Sequence, residues 1–462
     1  MSRIPMTRRS AILNTGAAIA VAVASQIVPR SANAAGTVRK RKNIEALSAD
    51  ELTAYQHAIK VVKDRSKADP NDPKGYDYWA ALHDSYDESI HSGCAHFSEK
   101  FFPWHRRYLY DFELVLQQSD PSITANVMIP YWDWTRPPTQ GAHFPRAFEQ
   151  PGSPLFDTRF KIAPPPWDAS DILFMVQETD WNVFAGKPDP SNGFGRNPGS
   201  VESGPHNTLH TNISRHMHNP DTAVQDPIFW SFHAGIDLVW SRWQRLHVSD
   251  TKPQPFSDPA AIIWFQVRSL RVASTAKTTD FSYEYDYDFS PDGPAAAPAV
   301  VAASAPITSA AKRVTPLMPA AARGRDMTTL ELAAKPASNA ILRLADVKVL
   351  HDRSYRLNLY LHPKDTDLSS LSAEARKTYF MRTITLWKTH HDGEVEIFVR
   401  PTPPQLAHLG EGWVVTIQSE DAPASDVTGQ PPGAAGRAEA TAAQPALPAA
   451  SELVRTIELQ ER

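Results

Sequence analysis

Apolar residues in the first half of the chain return at the spacing of a helix face. Ser48 stands three residues before Glu51, the pattern of a capping box, and Tyr55, Ile59 and Val62 follow on one side. Amphipathic helices are also predicted over residues 76–83 and 104–116, and again over 204–216 and 226–247. Between about 135 and 200 the chain is rich in Pro, Gly, Asp and Asn, which predicts long irregular loops. Beyond residue 340 the period changes to two. Residues 340–344, 355–361, 383–387, 394–399 and 413–417 alternate apolar with polar positions between turn residues, as the strands of a small β-sandwich do.

Composition sets these units apart. Residues 291–336, dominated by Ala and Pro, read as a linker, and 422–462 as a low-complexity tail whose last stretch adds one strand or trails. The expected fold is mainly α, a four-helix-bundle core with long loops over residues 35–290, followed by a small β-sandwich over 337–421. A length of 462 residues supports two such units.

The N-terminus predicts export. The stretch TRRSAIL (7–13) places Arg8 and Arg9 ahead of an apolar run at 17–24, and Ala32-Asn33-Ala34 offers a small-x-small cleavage pattern. The paired arginines resemble a twin-arginine signal over 1–34, which would deliver a folded protein to the periplasm or the medium. No later stretch is apolar for long enough to span a bilayer, so no membrane partner is expected once the signal is removed. A net charge of -4 and the lack of a basic stripe argue against nucleic acid as a partner. The single cysteine, Cys94, excludes an intramolecular disulfide.

Histidines are where the chemistry lies. Of 17, His83, His96 and His105 fall in the first helical region, and His206, His210 and His233 in the second. His206 and His210 are one turn apart on one helix face, and crossing helices bring such ligands together in a buried core. Imidazole suits copper, zinc, iron and nickel. Zinc has no redox chemistry and non-haem iron oxygenases use a carboxylate ligand. All-imidazole sites therefore favour copper, but only modestly, since a single helical histidine is more often a core or surface residue.

The surrounding motifs carry more. HSGCAHFSEKFFPWHRRYLYDFE (91–113), ESGPHNTLH (202–210) and DPIFWSFHAGIDLVW (226–240) resemble the two copper motifs of the tyrosinase and polyphenol oxidase family (catechol oxidases included), whose sites are of the type-3 copper kind. The resemblance covers about residues 45–290, and more weakly the strand region, which is similar to the C-terminal domain of plant members. It implies a coupled pair of copper ions, one on His83, His96 and His105 and the other on His206, His210 and His233. His91 competes with His83, whose surroundings are the least distinctive. Cys94 matches a cysteine that the family joins to the second ligand, here His96, as a thioether. Glu202 and Asn207 match a pair that holds a water near the site and assists phenol deprotonation, and Pro220 falls near a gate position over the second copper. Asp237, one turn after His233, is expected to orient a ligand imidazole. Tyrosines in the segment 283–287 are expected to anchor the end of the helical unit, and the strand domain to shield the site until cleaved in the linker.

The resemblance thus implies an enzyme using dioxygen to oxidise small phenolic substrates, o-diphenols to o-quinones, and to hydroxylate monophenols. A strict catechol oxidase or o-aminophenol oxidase is the alternative on the same scaffold. An oxygen-binding protein like hemocyanin is the alternative of another class.

Overall fold

The computed structural model describes residues 38–84, 94–136, 144–159, 167–188, 197–213, 215–248, 254–256, 262–265, 268–286, 313–316, 318–321, 327–331, 340–389, 392–409, 412–422 and 446–461. The export segment expected over 1–34, His91 and Tyr287 lie outside them.

The helical unit is built on α1 (Ala49–Ala68), α2 (Tyr76–Asp84), α3 (Phe101–Gln117), α4 (Ala169–Val176), α5 (Asn207–Ile213) and α6 (Ile228–His247). The capping box is present: Ser48 Oγ accepts the Glu51 N–H at 3.2 Å and Glu51 Oε2 accepts the Ser48 N–H at 2.9 Å. Helix α6 is buried on all sides from Ile228 to Gln244, which makes it the central element, because a helix apolar all round must be enclosed by others. It faces α3 through stacked rings, Phe112 on Trp230 at 3.7 Å and Phe102 on Trp240 at 5.4 Å. The helix expected over 204–216 is divided. A wide π turn at Glu202–His206, containing Pro205 and a Gly204 with non-helical angles, leads into α5, and a separate short helix follows at Arg215–His218. Proline removes a backbone donor and glycine relaxes the backbone, so a single helix cannot run through.

The ends of this unit are clasped together. Strand β1 (Arg39–Arg41) pairs in parallel with β2 (Tyr283–Tyr285). The buried Arg41 guanidinium bonds Glu113 at 3.0 Å and lies 3.8 Å above the Tyr283 ring. Tyr285 Oη–H donates to Asp237 Oδ2 at 2.7 Å and Tyr283 Oη–H donates to the same oxygen.

Beyond this, nine strands build the β unit: β3 (Arg313–Pro316), β4 (Met318–Ala321), β5 (Met327–Glu331), β6 (Ala340–Val349), β7 (Tyr355–Pro363), β8 (Phe380–Leu386), β9 (Gly393–Val399), β10 (Trp413–Asp421) and β11 (Val454–Glu461). They form two antiparallel sheets, ordered β8-β7-β10-β5-β4 and β9-β6-β11-β3. Leu342, Leu344, Ile397 and Leu459 of one sheet and Leu357, Leu359, Ile384 and Ile417 of the other bury one apolar cluster. The last stretch of 422–462 adds one strand, β11, which lies between β6 and β3. One boundary differs from expectation: the segment 291–336 is not all linker, since β3 to β5 lie within it. Strand formation depends on what pairs across from a segment more than on its own composition, so Ala and Pro content misled there. Among the described residues no helix is long and apolar enough to cross a membrane.

Candidate metal centre

Five elements and one loop deliver the six expected histidines to one place. His83 ends α2, His96 precedes α3, His105 lies in α3, His206 closes the π turn, His210 lies in α5 and His233 in α6. The donor atoms of His83, His96, His105 and Cys94 all lie within 4.8 Å of one another, and so do those of His206, His210 and His233. The trios adjoin: the His105 and His233 rings stack at 4.8 Å and the His96 and His206 centroids are 5.3 Å apart.

Every one of the six rings has its Nδ1 against an oxygen. His105 faces the Phe101 carbonyl at 2.8 Å and His233 the Phe229 carbonyl at 3.1 Å, each four residues back along its own helix. His210 faces the Met217 carbonyl at 2.9 Å and His83 the Pro220 carbonyl at 3.3 Å. A carbonyl only accepts, so these Nδ1 atoms carry the proton and Nε2 keeps its lone pair. His96 Nδ1 meets Glu202 Oε1 at 2.9 Å, and His206 Nδ1 meets Asn207 Oδ1 at 2.9 Å. The Asn207 orientation is set independently, because its Nδ2 donates to the Thr385 carbonyl at 2.9 Å. Outer oxygens that fix the tautomer and direct Nε2 inward are the usual surroundings of metal-binding imidazoles.

The inner nitrogens lack other work. His96 Nε2 and His210 Nε2 are buried with no hydrogen-bond partner among the described residues, and His206 Nε2 lies 3.2 Å from His233 Nε2. Unpaired buried polar atoms are costly, so a cation on each trio is what these positions fit. Burial, and after it the neighbouring histidines, hold His105, His206 and His233 well below the usual imidazole range. Burial has the same effect on His210. The rings are therefore neutral, the form that binds metal.

Other expected residues divide. Glu202 Oε1 also accepts the Phe97 N–H at 2.8 Å, and Phe97 adopts a left-handed φ of 57° that turns that N–H toward it. Glu202 Oε2 is buried without a partner among the described residues. The π turn carries both Glu202 and His206 into the same site. Cys94 Sγ has its hydrogen-bond-range contact with His105 Nε2, at 3.1 Å, rather than with His96; burial first, and then Glu202, push its thiol pKa up. Asp237 does not orient an imidazole. It bonds Arg106 Nε at 2.6 Å, Arg41 and both clasp tyrosines, while His233 turns back to Phe229. The His233 ring leans toward the helix N-terminus, as helical side chains do, and is taken by the carbonyl four residues back, while the arginines and tyrosines take Asp237. The Pro220 carbonyl meets His83 of the first trio at 3.3 Å.

The residue that does overhang the second trio was not foreseen. Trp387, immediately after β8, stacks on His210 at 4.0 Å with 19° between the planes, and its Nε1–H donates to the His218 carbonyl at 2.8 Å. Thr385 Oγ1 bonds Thr208 Oγ1 at 2.8 Å. Nothing local marks these residues, since their partners are some 170 positions away. The carbonyls of Phe101 and Phe229 were legible, being four residues before His105 and His233.

Fold and site thus define a protein with two adjoining three-histidine metal positions in a helical core, capped by a β unit. Residues 73–170 and 157–246 match the model of the common central domain of tyrosinase. The helical unit thus carries the central domain of tyrosinase, and the curated relatives are tyrosinases and polyphenol oxidases. It is 29% identical over 248 residues to tyrosinase HcTyr1 of Hahella sp. (strain CCB-MM4), covering 45% of this chain and 53% of that one. It is 27% identical over 247 residues to the chloroplastic polyphenol oxidase E of Solanum lycopersicum, covering 45% and 41%. The chain thus spans about half the length, or less, of these two relatives. The structure of latent apple tyrosinase shares the fold with a TM-score of 0.61 at 21% identity, covering 83% of this chain and 94% of that one.

Proposed function

We propose that this protein is a two-copper oxidase that uses dioxygen to convert o-diphenols to o-quinones. The observation that carries the reading is the set of six imidazoles, five buried and His96 partly so, each with Nδ1 against an oxygen, gathered into two adjoining trios without a carboxylate among the inner donors. His83, His96 and His105 would hold one copper, and His206, His210 and His233 the other; bound copper would supply the electron transfer to dioxygen. The balance is two diphenols oxidised for each dioxygen reduced to two waters. A phenol ring entering the site needs a flat face to lie against, and His210 offers the face that Trp387 now covers.

Monophenol hydroxylation is the finer part of the reading. A monophenol must lose its proton to bind as phenolate, and the unpartnered Glu202 Oε2 supports a role in taking it, through a water held with Asn207. A relative named (+)-larreatricin hydroxylase, from Larrea tridentata, supports hydroxylation within the family. Glu202→Gln is expected to lower turnover of tyrosine by about a hundredfold, a usual size for general base assistance, and that of catechol by far less. Equal losses on both would remove Glu202 from that role. The strand unit is proposed to shield the site, the Trp387 indole being the covering group. Export through the segment 1–34 is part of the same proposal.

The test is stoichiometry with activity. Protein loaded with copper should retain two ions per chain and consume oxygen with catechol, with o-aminophenol and tyrosine assayed beside it. One ion per chain, or two ions with no quinone formed from catechol after Trp387→Ala, would overturn the reading.

A further inference from the structure

We infer that Thr385 and Trp387 are positioning residues for the second metal trio, so that metal occupancy there and docking of the strand unit stabilise each other. The inference rests on the two-metal reading and extends it to a question that reading leaves open, namely when the cover closes.

The two contacts have one origin. Among the described residues strand β8 is the edge of its sheet, paired with β7 alone, and a sheet edge presents carbonyls to whatever covers it. Here α5 covers it. A continuous chain of donors runs from the metal ligand into the other unit: His206 Nδ1–H to Asn207 Oδ1 at 2.9 Å, then Asn207 Nδ2–H to the Thr385 carbonyl at 2.9 Å. All three residues are buried, so water does not compete for these groups. Two residues further on, the Trp387 indole lies flat on His210 at 4.0 Å. The segment therefore touches two of the three ligands of the second trio, by a hydrogen-bond chain to one and a stacked ring on the other.

Both contacts respond to charge on the far side of the ring. A cation on His206 Nε2 withdraws electrons from the imidazole and makes its Nδ1–H a stronger donor. That polarises the Asn207 amide, and linked hydrogen bonds strengthen one another. A cation on His210 likewise makes that ring electron-poor, and an indole face is the best aromatic partner for positive charge. Metal in the second trio thus tightens the grip of β8. By linkage, the docked segment must tighten the grip on the metal by the same factor. The cover closes best on a loaded site.

Zinc tests this without redox chemistry, since it accepts three histidines. The full chain, stripped and then loaded with two zinc ions, is followed by amide hydrogen exchange of residues 380–389, with β10 as the reference strand in the same sheet. Loading is expected to slow exchange of β8 relative to β10 by about tenfold, within the usual range of coupling. His233→Ala keeps His206, Asn207, His210 and Trp387 but breaks the second trio, and should bind one zinc with no slowing. Trp387→Ala should lose its second zinc to a chelator about tenfold faster than the unaltered chain and its first at the same rate. Wild-type protein with two zinc ions and unchanged β8 exchange overturns the coupling while leaving the two-metal reading intact. So does slowing that persists in His233→Ala with one ion, or equal zinc retention in Trp387→Ala. Failure to bind two zinc ions overturns both.

Discussion

At Asp237 one carboxylate accepts from two arginines and two tyrosines inside the protein. Its place after His233 suggested a partner for a ligand, yet it joins α6 to the clasp at the ends of the helical unit. The two roles predict different losses. Asp237→Ala leaves Arg41 with Glu113 and Tyr285, and Arg106 with Gln244 and the Ala276 carbonyl, a partly uncompensated pair of buried cations. Removing one partner from such a network costs about 3–5 kcal/mol, measurable by chemical denaturation. Metal content of the folded fraction should stay at that of the unaltered chain, whereas a residue orienting an imidazole would weaken metal binding about 10- to 100-fold. The histidines were legible because spacing and long motifs converge on them. Asp237 was not, because the arginines and tyrosines that claim it lie far from it along the chain.

Among elements, α6 is the one whose surroundings leave least room. Gly235 lies where a Cβ would come within 2.3 Å of the Trp134 ring and 2.7 Å of the Trp132 carbonyl, so the loop carrying these tryptophans rests directly on the helix backbone. The Trp132 N–H also donates to the Ser231 carbonyl at 2.8 Å. Glycine costs a helix about 1 kcal/mol relative to alanine, and propensity alone predicts that Gly235→Ala stabilises. Crowding against backbone and a fused ring reverses the sign. The expected outcome is destabilisation by about 1–3 kcal/mol, as for other overpacked sites, read as a lower melting temperature; a higher one would mean that the loop yields freely. Periodicity revealed α1, α3 and α6 because their burial patterns repeat locally. It could not reveal β3 to β5 or the inner place of β11, which are held by partners far away in the chain, nor the π turn that widens the helix at Glu202–His206.

Across the whole molecule, the cover over the second trio is held by more than the Trp387 indole. Glu178 receives two donors from Arg400, Lys187 pairs with Glu396, and Asn197 Nδ2 donates to the Glu396 carbonyl at 2.7 Å. These bonds lie on the faces by which the β unit meets the helical one, away from the histidines, so they set how often the site uncovers without taking part in what happens there. A bidentate arginine–carboxylate pair orients as well as attracts, and Glu178 is nearly buried while Arg400 is partly exposed. Arg400→Ala leaves that carboxylate with the Asp180 N–H at 2.8 Å. If the docked state loses one to two kcal/mol, the uncovered population rises roughly five- to thirtyfold, and catechol oxidation by the intact chain should rise with it while copper content holds. The reverse pattern, loss of copper with no gain in rate, would mean that the β unit serves only to complete the metal site. Because metal in the second trio is expected to tighten β8, the gain from Arg400→Ala should be larger in protein loaded only in the first trio, measured as exchange of β8, than in protein loaded in both.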